Sequence, residues 1–112
     1  MDSPYLHAHY RIDLFEKPIL IGQICAELEA YMNQILASSW AFITAYNPMS
    51  EVYPDEENVH RNQILEAQIQ GYHYLPGEGA DPNGEWQPER SFCVFDISLP
   101  EAKKLAALHE QK

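Results

Sequence analysis

The stretch Trp40-Ala41-Phe42-Ile43-Thr44-Ala45-Tyr46, closed by Asn47-Pro48, decides how this chain is read. It is apolar, aromatic and β-branched, the composition of a strand packed on both faces. Proline cannot continue a ladder, and the residue before it avoids helix, so Asn47-Pro48 ends the strand. A central strand with a buried Ile43 is the expectation.

Working outward, residues 5–13 alternate Leu6, Ala8, Tyr10 and Ile12 with His7, His9 and Arg11, a strand with one covered face. Ile21, Ile24, Cys25, Leu28, Tyr31, Met32, Ile35 and Leu36 then recur at three- and four-residue steps, one stripe of a helix. Downstream, Pro54 opens a second helix with Asp55, Glu56 and Glu57 in its first turn, where carboxylates suit the dipole. Gly71 is the expected C-terminal cap. Residues 72–75 form a short strand, and the turn-rich residues 76–88 a loop. Residues 91–97 form another buried strand, and Ser98 with Glu101 makes a capping box for a last helix.

The elements alternate, so right-handed crossovers make the first three strands parallel, and the fourth returns antiparallel. The expected fold is α/β, bordering on α+β. It is one domain over residues 1–112, a mixed sheet of about four strands with three helices packed on it.

Composition narrows the function classes. The chain has 112 residues, 17 Asp plus Glu and 7 Lys plus Arg, a formal charge of −10. That disfavours nonspecific nucleic-acid binding, whose affinity comes from neutralising phosphates. No apolar run approaches the length of a membrane span, and the polar first residues lack a signal peptide's apolar stretch. A soluble cytoplasmic protein is expected. Cys25 and Cys93 sit in apolar surroundings with no metal spacing, as buried thiols do. His7 and His9 share the outer face of their strand, and His60 and His73 have no ligand-spaced partner, so no metal site is expected. No G-x-S-x-G or phosphate-binding loop occurs.

One anomaly lies in the second helix. On a helical wheel, Asn58, Arg61 and Asn62 occupy the N-terminal end of the same face that Leu65 and Ile69 bury. A packing helix would carry apolar residues there, and buried polar groups need partners. Two readings follow. One is a polar pocket beside the end of the WAFITAY strand, where ligands bind in open α/β sheets. The other is structural: the asparagines bond a neighbouring loop and Arg61 pairs with a local acid. The Gly- and Pro-rich loop is a second candidate segment, with Trp86 as a cover and Glu89 and Ser91 entering the next strand.

Four segments, AFITAYNPMS (41–50), EENVHRNQIL (56–65), LPGEGADPNGEW (75–86) and ERSFCVFDIS (89–98), resemble in order the bacterial domain-of-unknown-function 3293 family. That family's pattern is a strand ending TA-x-NP, then EN-x-x-R, a PG-x-G loop, a tryptophan, and E-x-S before a strand. The resemblance carries over Thr44, Asn47, Pro48, Asn58, Arg61, Gly79, Trp86, Glu89 and Ser91. It implies a bacterial source and a site location, but no reaction or cofactor. Members also tend to follow the last helix with a short strand that this sequence lacks, so self-association through an open sheet edge, or a docked terminus covering it, is an expectation.

Two functions of different class remain. The first is binding, or catalysis upon, a small polar or anionic, nucleotide-like ligand by Thr44, Asn47, Asn58, Arg61, Trp86, Glu89 and Ser91. There Arg61 would hold the anion and Glu89 would be the candidate acid or base. The second is an acidic interaction or inhibitor module acting on a basic protein partner.

Overall fold

A computed structural model describes residues 9–20, 25–46, 54–80 and 88–109. In chain order they form β1 (His9–Ile12), β2 (Ile19–Leu20), α1 (Ala26–Ile35), β3 (Trp40–Ile43), α2 (Asp55–Gln68), β4 (Tyr74–Ala80), β5 (Glu89–Phe95) and α3 (Leu99–Leu108). The sheet order is β2-β1-β4-β5-β3, and every described pairing is antiparallel.

This corrects the expected mixed sheet. The two-residue strand β2 is too short to leave a periodic signal, yet its hairpin with β1 reverses the chain before α1. As a result β2, β3 and β4 run the same way, as crossovers require, but β1 and β5 slot between them. The β4–β5 return across the loop is antiparallel as expected. The WAFITAY strand is likewise not central: β3 is an edge strand that ends at Ile43, although Ile43 itself is buried.

Alternation along β5 divides the core in two. Phe92 and Val94 join Ile43 and Ala45 on one face, under Leu65 of α2, Ile69 at its C-terminal cap and Leu105 of α3. Cys93 and Phe95 join Ile12, Ile19 and Leu28 on the other, under α1. The architecture is thus three layers, α1, sheet, and α2 with α3. The sheet curls around α1: Tyr10 of β1 and Phe42 of β3, three strands apart in the order, bring their rings to 4.9 Å.

Local chemistry sets the boundaries. The α1 stripe buries Leu28 and packs Tyr31, Met32 and Ile35, but Leu36 leaves it. Leu36 takes the left-handed conformation at φ 60° that terminates the helix, and its side chain is 87% exposed. The helix α2 ends at Gln68 with Ile69 as its cap, so Gly71 lies in the next turn and does not cap. Residues 76–80, expected in the loop, belong to β4. Pro76 is tolerated there because Leu75 and Gly77 face β5, which leaves its missing N–H on the β1 side, where β1 has already ended. Gly77 is required: a Cβ would lie 2.2 Å from the Arg11 carbonyl oxygen. Ser98 caps α3 by accepting from the Glu101 N–H, as the sequence indicates.

Candidate functional site

The β3–β5 ladder stops because a side chain takes it over. Asp96 N–H donates to the Ser39 carbonyl, so Ser39, Ala41 and Ile43 turn their peptide groups toward β5. Continuing that register, Ala45 would pair with Arg90. Instead the Asn62 carboxamide sits between them. Its Oδ1 accepts from the Ala45 N–H at 2.8 Å, and its Nδ2 donates to the Arg90 carbonyl at 3.0 Å. A carboxamide carries the same donor and acceptor as a peptide group, so it satisfies both strands while holding them apart. Thr44 finishes the junction: its hydroxyl donates to the Arg90 carbonyl at 2.7 Å and accepts from the Tyr46 N–H at 3.1 Å.

The parted strand ends lie against the N-terminal half of α2. Asn58 is 3% exposed and Asn62 7%, at the end of the stripe that Leu65 and Ile69 continue. Arg61 is partly buried and forms an ion pair with Glu57, one turn earlier, at 3.5 Å. Arg90, on the same sheet face as Phe92, grips Asp13 with two hydrogen bonds at 2.6 and 3.1 Å, and Glu78 lies at 4.0 Å. The hydrogen bond from Arg90 to Asp13 raises the guanidinium's pKa further above its ordinary value. Tyr46 is pushed up by burial and by the Asp55 carboxylate, against the opposing pull of Arg90. Behind Arg61, buried His109 contacts Gln68, and burial with the Arg61 charge lowers its pKa.

Of the residues singled out in the sequence, Thr44, Asn58 and Arg61 are brought to this junction. Asn47 and Trp86 lie outside the described residues. Glu89 and Ser91 are buried but stand on the other face of β5. Glu89 is in register with Gly79, which is opposite Tyr10, and Ser91 follows the same alternation. The Ser91 hydroxyl donates to the Glu89 carbonyl at 2.9 Å. Arg61 thus pairs with a local acid, Glu57, while Glu89 stands on the other face of β5. Sequence reading missed Arg90, Asp13 and Tyr46. Arg90 sits between Glu89 and Ser91, and a lone charged residue on a strand carries no local sign of a role at a junction. Asp13 is remote in sequence and gives no signal of its pairing.

Two clefts lie on the α1 side. One, of about 690 Å³, runs between α1 and the two sheet edges, with Ile19, Met32 and Trp40 among its walls. No group of metal-ligating side chains occurs among the described residues. No helix there is long and apolar enough to cross a membrane.

The protein is thus a small α/β domain with an antiparallel curled sheet and a polar junction where its edge strand parts from β5. A protein-family model described as "Protein of unknown function (DUF3293)" matches residues 43–112, well over half of the chain. The chain belongs to the DUF3293 family. The matched span contains Thr44, Asn58, Arg61, Asn62 and Arg90, but not Asp13. No curated protein and no solved structure matches the chain.

Proposed function

We propose that the protein binds a small polar or anionic ligand at the junction of β3, β5 and the start of α2. The observation that carries this reading is the parting of the two strands by Asn62 beside a helix face that is polar at that end alone. A buried polar wedge costs more to build than a continued ladder, and such departures from simple packing concentrate at functional sites. Arg61 and Arg90 flank the junction. The Arg61–Glu57 contact at 3.5 Å is a partly exposed ion pair, of a kind worth about 0–1 kcal/mol, so an incoming anion can compete for that guanidinium, while the stronger two-bond Arg90–Asp13 pair holds the second positive charge in a fixed position. The first turn of α2 argues against a highly charged phosphate, since Asp55, Glu56 and Glu57 already fill it. A carboxylate or phosphomonoester fits better. Free Cys25 and Cys93 and the family resemblance support a bacterial cytoplasmic setting.

A thermal-shift screen of carboxylates and mononucleotides tests this, because a true ligand raises the melting temperature by mass action. A hit should be lost in Arg61→Met or Arg90→Met. A hit unchanged in both variants would remove the site from this junction.

A further inference from the structure

The β3 edge combines features that point to a partner. Because Ser39, Ala41 and Ile43 face β5, Trp40 and Phe42 turn their N–H and C=O groups away from the sheet. Among the described residues β3 pairs only with β5, and its sequence, Trp-Ala-Phe-Ile, has no charge or proline. Edge strands ordinarily carry such residues to prevent pairing with other chains. The edge also borders a built cleft. Trp40 and Phe42 stand on the concave face, ring to edge at 5.9 Å, and Trp40 lines the 690 Å³ cleft with Leu28, Met32 and Ile19. Ile19 comes from β2, at the opposite edge of the sheet, so the cleft is the gap between two strand edges. Exposed Glu29 stands at its rim.

From these features we infer that the β3 edge and its cleft take an extended basic peptide segment of a partner protein. The peptide adds a strand through the outward main-chain groups of Trp40 and Phe42. It seats one apolar side chain against Trp40 and Met32, the mode in which backbone pairing gives affinity and alternate side chains give specificity. Charge selects the occupant. A second copy would bring another −10 to the edge, whereas a lysine- or arginine-bearing strand is attracted to the whole molecule and to Glu29. The surface is separate from the α2 junction, on the other side of the sheet.

The test uses the full chain, isotope-labelled, and three synthetic peptides of about ten residues. One alternates lysine and valine, one alternates glutamate and valine, and the third is the lysine peptide N-methylated on its edge-facing residues. The lysine peptide should shift the Trp40 and Phe42 amides, bind roughly tenfold or more tightly than the glutamate peptide, and weaken as salt rises. N-methylation should abolish binding without any change to the protein. Glu29→Lys, at an exposed position, should cost about tenfold while leaving the spectrum folded. Equal binding of the lysine and glutamate peptides, binding of the N-methylated peptide, or no binding of any of them would overturn the inference. So would a concentration-dependent dimer with shifts at Trp40 and Phe42, which would assign the edge to a second copy.

Discussion

Replacing Asn62 with alanine removes both bonds of the wedge and leaves the two strands to fend for themselves. The Ala45 N–H loses its acceptor at a fully buried residue, and a buried unsatisfied donor costs about 1–3 kcal/mol. The Arg90 carbonyl loses one of two donors but keeps the Thr44 hydroxyl, so its loss is that of an ordinary bond, about 0.5–1.5 kcal/mol. Together they predict a destabilisation of about 2–4 kcal/mol, or a fall in Tm on the order of 10–20 °C for a domain of this size. Asn62→Asp should be at least as costly, since it keeps the acceptor for Ala45 but sets a buried carboxylate against the Arg90 carbonyl. Urea unfolding followed by circular dichroism gives the free energy, and amide exchange reports the Ala45 N–H. A cost below about 0.5 kcal/mol with the Ala45 amide still protected would refute the reasoning. It would mean that Ala45 and Arg90 close into the missing ladder pair unaided.

Ile43→Ala should cost about 2–5 kcal/mol despite the edge position of β3, because its side chain lies in the α2-side core; calorimetry reads it. His109 has a lowered pKa in the folded protein, so the unfolded chain binds more protons as acid is added. Its contribution is present above the ordinary value of 6.5 and is lost as pH falls below it; His109→Gln should flatten that part of the stability–pH curve. Burial pushes the Cys93 thiol up to about 12, so iodoacetamide at neutral pH should label partly exposed Cys25 and spare Cys93, as mass spectrometry will show.

Elements with long, one-sided patterns were legible in the sequence. The middle of the α1 stripe, the acidic first turn of α2 after Pro54, the Ser98-capped start of α3 and most of the β5 run lie where periodicity and capping residues put them, although β5 spans Glu89–Phe95 rather than 91–97. Strand direction was not legible, because it depended on β2, two residues that carry no period. The length of β3 was not legible either. Thr44, Ala45 and Tyr46 have strand composition, and only a side chain from a helix 17 residues away explains why the ladder ends before them. Asn62 was visible as a polar residue on an apolar stripe, but the same signal fits a ligand contact and a backbone wedge, and the partner decides between them. Pairing of Arg90 with Asp13 joins residues 77 positions apart and leaves no local trace.

The most direct test of the binding site is an isotope-edited titration of the protein with inorganic phosphate, citrate and adenosine monophosphate in turn. At least one should shift the Ala45, Tyr46, Asn58, Arg61 and Arg90 amides together and saturably, and Arg90→Met should abolish the shifts while the rest of the spectrum stays folded. Shifts confined to the cleft around Trp40 and Ile19, or saturable binding that survives Arg90→Met unchanged, would contradict the account.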